Sequence, residues 1–383
     1  MPEYLAPGVY VEETSFRSKS IAGVSTSTAA FVGATRSGPF AASHPPELLT
    51  SMTDFQRVYG GTEDLPRTNP ATNHVARAAQ AFFNEGGARL YIARIKRPLK
   101  SAANWTAALN ALLAVEEIST VAAPGATELG VFGETVQTQL IAHASAARAY
   151  RFAVLDVPRG LAPNEARAWR DKFNSPFAAF YYPWVSTPGA PGAPEILLPP
   201  SGFLCGIYAR SDVARGVSKA PANEVIRGAI GFERDLDTAA LELLNPAGVN
   251  CLRTFPGRSL RVWGARTAAS DPEWKYLNVR RYFNYLEHSI DTGTQWAVLA
   301  PNGEALWANV RRSIENFLLN EWQGGALLGD KPEKAFFVKC DRSTMTQNDL
   351  DQGRLVCLIG VAPVRPAEFV IFRIGQRTAD ATS

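Results

Sequence analysis

The chain ends in an apolar strand that a compact domain would not leave unpaired. Residues 361–375 have the sequence VAPVRPAEFVIFRIG, in which two prolines fix an extended lead-in to the apolar run. The backbone N–H and C=O groups of an unpaired strand recruit the edge of another sheet. A matching element, residues 7–13 with the sequence PGVYVEE, opens the chain. Two extendable strands at the two ends predict a subunit that joins its neighbours by adding strands to their sheets.

The predicted inter-subunit strands lie in both of these segments. They are Val9, Tyr10, Val11, Glu12, Phe369, Val370, Ile371, Phe372, Arg373 and Ile374. Alternate side chains of a strand point to opposite faces, and both faces of the C-terminal strand are largely apolar because Arg373 is its one charged residue. We therefore expect this strand to be covered on both faces. The alternative is a strand that pairs within its own domain.

The composition is that of a globular chain with a balanced surface. Its 383 residues leave room for two or three domains, and a hydrophobic content of 46% excludes global disorder. The 39 basic and 36 acidic residues nearly cancel, whereas a nucleic-acid-binding protein carries clustered basic residues. We therefore expect no nucleic-acid partner.

The sequence shows no targeting pattern and no redox motif. The cysteines lack metal-site or redox spacing, which predicts thiols in a reducing compartment. No apolar stretch approaches the roughly 20 residues that span a bilayer, and the first residues lack the pattern of a secretory leader. We expect a soluble product with no membrane partner.

The first half of the chain alternates strands and helices. Asn69 and Pro70 predict a helix start, as cap and first-turn proline, and Gly86 ends that helix. The strand–helix–strand order recurs after residue 150 and predicts an α/β domain over residues 24–200. The predicted strands are residues 28–35, 88–95, 152–157 and 177–185, and the second helix is residues 163–173.

Residues 186–202 are rich in proline and glycine and predict a loop at an internal boundary. Residues 201–365 then predict an α+β domain, between an N-terminal arm and linker (1–23) and a C-terminal strand arm (366–383). The predicted elements of this second domain are a capped helix from Asn223, strands 249–255 and 259–265, a helix opened by residues 271–273, a helix over residues 302–322, and strands 335–339 and 353–360.

Three blocks of the chain carry specific motifs. The first block has PSG at residues 200–202, IYAR at 207–210 and KAPANE at 219–224. The second has GVN at 248–250, RTFPGR at 253–258, VWGART at 262–267 and DPEW at 271–274. The third has NVRR at 278–281, GTQW at 293–296, FVKCD at 337–341 and PAEF at 366–369. In these motifs, and in PGVYVEE, the chain resembles contractile tail sheath proteins of tailed phages and related contractile injection systems.

The resemblance implies a helical stack of hexameric rings around an inner tube. It places the conserved domain (201–365) inside and the variable domain (24–200) outside, and it implies that terminal arms complete a sheet in neighbouring copies. It also implies the inner tail tube protein, the baseplate and the tail terminator as partners. The particle would be a phage tail or a phage-tail-like device assembled in the bacterial cytoplasm.

Contraction implies a hinge and a releasable grip on the tube. We expect the hinge in a polar linker, at Ser15, Phe16, Arg17, Ser18, Lys19 and Ser20. We expect the grip on the polar face of helix 302–322, at Asn309, Arg311, Arg312, Glu315 and Asn316, because exposed charge contacts are weak and salt-sensitive. A merely solvated helix face is the alternative for this second set.

No constellation in the sequence predicts catalysis. His288, Ser289 and Asp291 lie too close together along one helix to converge, and the glycines near residue 325 lack the spacing of a phosphate-binding loop. The aspartates between residues 341 and 351 show no calcium-loop pattern. We expect no catalytic, cofactor or metal site. The alternatives are an α/β hydrolase, which lacks its nucleophile elbow here, and a static tube or baseplate protein.

Overall fold

The computed structural model describes residues 20–66, 71–189, 192, 194–257, 259–369 and 371. These residues form two compact units. The large unit contains Gly23–His288, Gly325–Leu328 and the described chain from Pro363 onward. The small unit contains Ser289–Gly324, Gly329–Ala362 and residues 20–22.

The strands are β1 (Thr28–Gly33), β2 (Leu48–Leu49), β3 (Arg89–Arg94), β4 (Thr120–Ala122), β5 (Phe152–Asp156), β6 (Ala178–Tyr182), β7 (Val185–Thr187), β8 (Ile196–Leu198), β9 (Gly231–Phe232), β10 (Val249–Phe255), β11 (Ser259–Trp263), β12 (Phe336–Lys339) and β13 (Leu358–Val361). The helices are α1 (Met52–Tyr59), α2 (His74–Glu85), α3 (Ala102–Leu113), α4 (Phe132–Ala144), α5 (Pro163–Arg170), α6 (Ser201–Arg215), α7 (Thr238–Leu244), α8 (Leu277–Gly293), α9 (Glu304–Gln323), α10 (Pro332–Ala335) and α11 (Gln347–Asp351). Short 3-10 helices lie at Ala126–Leu129, Pro272–Trp274 and Gln295–Ala297.

The large unit is built on an eight-stranded sheet with the order β11-β10-β6-β5-β4-β1-β3-β2. The strands from β10 to β3 pair in parallel, and β11 and β2 close the two edges in antiparallel orientation. Helices cover parallel sheets on both faces, which explains why β5 is buried along its whole length. The predicted α/β class is confirmed.

The two faces of the sheet carry separate apolar cores because strand side chains alternate. On β1, Phe31 points to one face, where its ring meets Phe82 of α2 edge to face at 6.0 Å. Ala30 and Val32 point to the other face, where α3 contributes Trp105. The sheet therefore lies between two helical layers.

One sheet spans the predicted boundary at residue 200. β10 pairs in parallel with β6, so residues from both sides of the boundary belong to one sheet. Helix α6 also begins at the boundary and packs closely on α2. A Cβ atom added to Gly202 would lie 2.7 Å from Ala78, and one added to Gly206 would lie 2.6 Å from Glu85. The proline- and glycine-rich residues 186–202 are predicted from the sequence to be a loop, but β7, which begins at Val185, pairs there with β8 in antiparallel orientation.

Three helix starts differ from the prediction. Asn73, rather than Asn69, caps α2 by accepting a hydrogen bond from the Ala76 N–H, and Asn69 lies outside the described residues. No helix begins at Asn223, whose φ of 59° and hydrogen bond to the Val262 carbonyl place it beside β11. Asp271 caps only the 3-10 helix Pro272–Trp274, and α8 begins three residues later.

In the small unit, α9 packs against β12. Its buried stripe agrees with the predicted one except that Leu306 is only partly buried and that Trp307 and Ser313 are also buried. The buried residues of α9 are Trp307, Val310, Ser313, Ile314, Phe317 and Leu318.

Across the described part of the chain, no helix has the length and apolar character needed to cross a bilayer. Within the same residues, no three His, Cys, Asp or Glu side chains converge on a point where a metal ion could sit.

Candidate functional site

The described residues of the small unit form a two-stranded sheet. β12 and β13 pair in antiparallel orientation, with Phe337 opposite Gly360 and Val338 opposite Ile359. Among the described residues, neither strand has a strand partner on its other edge. A two-stranded sheet is marginally stable by itself, and open edges recruit further strands. We call β12 and β13 together the strand pair.

The strand pair has an inner and an outer face. Val338 is buried on the inner face, whereas Phe337 and Leu358 are each 52% exposed on the outer face. The Phe337 ring lies across Gly360, since a Cβ atom on that glycine would be 2.2 Å from the ring. The Nζ atom of Lys339 lies 5.9 Å from the centre of the same ring. Large exposed apolar side chains beside open edges are typical of an interaction surface.

The strand pair is held in place by hydrogen bonds at its ends. The Ala362 N–H donates to the Ala335 carbonyl at 2.8 Å, beside the start of β12. The Thr344 hydroxyl donates to the Val356 carbonyl at 2.7 Å, beside the start of β13. Because both strands are fixed before any partner arrives, an added strand would order little besides itself.

The described part of the predicted C-terminal strand forms no ladder with its own chain. Residues 364–369 and 371 are not part of any strand, and the Phe369 and Ile371 side chains are 69% and 78% exposed. Val370, Phe372, Arg373 and Ile374 lie outside the described residues, as do Val9, Tyr10, Val11 and Glu12 of the N-terminal strand. Their role in joining subunits stays a prediction.

Immediately before this strand, the Glu368 carboxylate is held by four side chains of the large unit. Its Oε1 accepts from Arg266 Nε at 2.7 Å and Asn245 Nδ2 at 3.0 Å. Its Oε2 accepts from Arg266 Nη2 at 2.9 Å and the Tyr276 hydroxyl at 3.0 Å, and lies 3.1 Å from Lys275 Nζ. We call this arrangement the tail clamp.

The clamp stabilises the charged form of Glu368. Burial by itself raises the pKa of this carboxyl group, but the hydrogen bonds from Arg266, Asn245 and Lys275 outweigh it and lower the pKa to about 2. The side chain is only 16% exposed, so solvent screens these interactions less than at an open surface.

The clamp is attached to the central sheet. Asn250 of β10 is fully buried, and its Oδ1 accepts from the Arg266 N–H at 2.7 Å. Its Nδ2 donates to the carbonyls of Arg266 at 2.8 Å and Phe180 at 3.1 Å. Arg266 therefore links the tail clamp to β10 and β6 of the central sheet.

Sequence reasoning missed the clamp. Arg266 and Glu368 are 102 residues apart, and no periodic pattern joins them. The VWGART and PAEF motifs contain the two residues and were the only available indication that these positions matter.

The predicted tube-binding face of α9 lies at the surface. Asn309, Arg312 and Asn316 are exposed, and Arg311 and Glu315 are partly exposed. Arg311 Nε lies 3.8 Å from Glu315 Oε1 in an i,i+4 pair, an arrangement that contributes only about 0.3–0.5 kcal/mol. Contact of this face with a tube stays a prediction. Of the six predicted hinge residues, only Ser20 is described, and it is exposed.

Two family models match the chain. The phage tail sheath protein central domain matches residues 100–268, and the phage tail sheath C-terminal domain matches residues 269–377. A putative prophage major tail sheath protein of Pseudomonas aeruginosa is 27% identical over 182 residues. That alignment covers 46% of this chain and 45% of the relative, so the chain matches less than half of the relative's length.

Solved structures match over nearly the whole chain. The helical sheath of the anti-feeding prophage in its contracted state is 31% identical, with a TM-score of 0.82, and the match covers 98% of this chain and 100% of that one. The contracted sheath complex of an extracellular contractile injection system, PVC, is 29% identical, with a TM-score of 0.78 and coverages of 98% and 99%.

Proposed function

This chain belongs to the phage tail sheath protein family, and from that premise we propose that its copies form a contractile sheath around an inner tube. In this proposal the subunit is structural. Contraction moves whole subunits from a metastable extended arrangement to a compact one of lower free energy, and drives the tube through a target envelope. The free energy is stored at assembly, so no nucleotide is consumed.

The observation that carries the proposal is the strand pair, whose two outer edges have no strand partner among the described residues. The N-terminal strand (Val9 to Glu12) and the C-terminal strand (Phe369 to Ile374) of neighbouring copies would add to these edges. The C-terminal strand is suited to this role because its described residues form no ladder in their own chain and expose Phe369 and Ile371. Strand addition supplies backbone hydrogen bonds for affinity and alternate side chains for specificity.

The expected free energy of such a joint is suited to a tether between subunits that move. Each strand of the pair has four residues, and a net backbone hydrogen bond contributes about 0.5–1.5 kcal/mol. Each large apolar side chain that becomes buried adds about 1.5–3 kcal/mol. A joint of several kcal/mol persists while the bodies of the subunits rotate and translate.

We propose the remaining assignments from the same arrangement. The polar face of α9 would contact the inner tube, and residues 15–20 would be the hinge of the N-terminal arm. The part of the chain before residue 200 would lie toward the outside and the later part toward the tube, with one sheet joining them. The baseplate and the tail terminator would bind the two ends of the sheath, in a phage tail or phage-tail-like particle assembled in the bacterial cytoplasm.

Truncation of the tail tests the proposal. We expect full-length protein to form striated tubes in negative-stain electron micrographs when it is mixed with its inner tube protein. Deletion of residues 369–383 removes the C-terminal strand but keeps the clamp, and should leave single subunits or short stacks. Deletion of residues 376–383 keeps the strand and is the matched control. Tubes of normal length from the longer truncation would contradict strand exchange, and tubes that never shorten would indicate a static tube protein.

A further inference from the structure

The large unit contains a basic cleft that the proposed strand exchange does not use. It has a volume of about 480 Å³ and lies between the end of α6, the segment after it and β11. Its charged lining consists of Arg210, Arg215, Lys219, Arg227, Arg261 and a single carboxylate, Glu224. We call this cavity the basic cleft.

The carboxylate inside the basic cleft shows what its cations bind. Glu224 accepts a hydrogen bond from Lys219 Nζ at 2.9 Å, pairs with Arg215, and lies 3.8 Å from Arg210 Nη2. A second carboxylate, the buried Glu85, pairs with Arg210 but is not part of the cleft lining. Two carboxylates thus pair with some of the five cations, and the lining of the basic cleft keeps an excess of positive charge.

The shape of the cleft and its residue types favour an acidic peptide over other anions. A volume of about 480 Å³ is much larger than a single inorganic anion requires. Guanidinium forks bind carboxylates in a bidentate manner. The lining contains no aromatic side chain, whereas sites for single-stranded nucleic acids use aromatic rings to stack bases. We propose that the basic cleft binds a peptide segment of a partner protein that carries two or more carboxylates.

Arg215 and Arg227 are the residues to test. The Arg215 side chain is 52% exposed and Arg227 is also exposed, so neither supports the core. Glu224 competes with an incoming carboxylate for Arg215 and Lys219, and its removal should leave both cations available to the ligand. The same cleft thus offers one change that weakens binding and one that strengthens it. The second change cannot be explained by misfolding.

The probe is a fluorescein-labelled hexaglutamate peptide, with a hexaglutamine peptide as control ligand and fluorescence anisotropy as readout. We expect the full-length protein to bind hexaglutamate, with affinity that falls as salt rises because the contacts are ionic. The double variant Arg215→Gln with Arg227→Gln should bind at least tenfold more weakly. Glu224→Gln should bind several-fold more tightly, and Lys100→Gln, an exposed lysine outside the cleft, should not differ from wild type.

Three results would overturn the inference. Wild-type protein that does not bind hexaglutamate at moderate salt has no such site. Equal affinity in the double variant would place the binding elsewhere on the surface. Tighter binding of inorganic triphosphate than of hexaglutamate would identify the cleft as a site for small polyphosphates. None of these outcomes depends on strand exchange, so the proposed function would stand or fall separately.

Discussion

Replacing Glu368 by glutamine should loosen the root of the C-terminal arm without unfolding the protein. Glutamine keeps the size of the side chain and one carbonyl acceptor but loses the negative charge that Arg266 and Lys275 bind. The strand that follows is unchanged. The substitution therefore separates attachment of the tail from the capacity of the strand to pair.

The size of the effect follows from the pKa of Glu368. A shift from its ordinary value of 4.5 to about 2 corresponds to about 3 kcal/mol at about 1.4 kcal/mol per pKa unit. Partial exposure reduces the figure to about 2–3 kcal/mol. Local detachment of the tail should therefore become about 30- to 150-fold more frequent in the glutamine variant, because each 1.4 kcal/mol changes an equilibrium about tenfold.

Hydrogen–deuterium exchange of peptides covering residues 360–371 measures this detachment directly. At neutral pH the variant should take up deuterium faster in this segment, whereas the β5 and α6 peptides should exchange as in wild type. The same change at an exposed glutamate of the large unit, Glu242→Gln, is the control. Unchanged uptake at residues 360–371 in Glu368→Gln would show that the clamp does not hold the tail.

The stabilisation of the tail by the clamp should decrease as the pH falls. Since the clamp lowers the pKa of Glu368 in the folded protein, its stabilisation is complete above about pH 4.5 and is lost as the pH falls toward 2. Pepsin, which is active in this range, should cut the wild-type tail progressively faster as the pH falls. The glutamine variant should be cut fast throughout. A wild-type tail equally resistant at pH 2 and pH 4.5 would contradict the low pKa.

Three further changes test the other parts of the site. Phe337→Ser should alter the free energy of unfolding of the monomer by less than about 1 kcal/mol, because the ring is half exposed, yet reduce tube yield in electron micrographs; Leu113→Ser, at an exposed leucine of α3, should not reduce it. Arg311→Glu combined with Arg312→Glu should lower co-sedimentation with purified inner tube, and equal co-sedimentation would favour a merely solvated face. Deletion of residues 16–18 should block contraction or trap assembly, and normal firing of such particles would dismiss the hinge.

Local patterns predicted those parts of the fold that depend on neighbouring residues. The apolar run at residue 28 gave β1, and the glycines after residue 85 mark the end of α2. The spacing of Val310, Ile314 and Phe317 gave the buried stripe of α9. In each case the residues that decide the structure lie within a few positions of one another.

Features that depend on distant pairing were not visible. β10 joins the sheet beside β6, across the predicted boundary at residue 200, and no local pattern in either strand identifies its partner. The helix expected from Asn223 is absent because residues 223–226 form backbone hydrogen bonds with β11 instead. The tail clamp belongs to the same class, since its members come from residues 245, 266, 275, 276 and 368.

The position of the clamp also limits the geometry of the proposed joint. The predicted strand starts at Phe369, the residue directly after Glu368. No linker residue therefore lies between the clamped Glu368 and the first residue that would pair with a neighbouring copy. Consecutive Cα atoms are about 3.8 Å apart, and the receiving edge of a neighbouring copy must then pass within about 4–8 Å of Glu368.

If the clamp opened, the tail would be released as far back as Val364, whose N–H donates to the Ala326 carbonyl. Four more extended residues would add about 13–14 Å of reach. Sheaths assembled from Glu368→Gln protein should therefore show a wider spread of subunit spacing in cryo-electron micrographs, and a spread equal to that of wild type would mean that the clamp does not set the length of the arm.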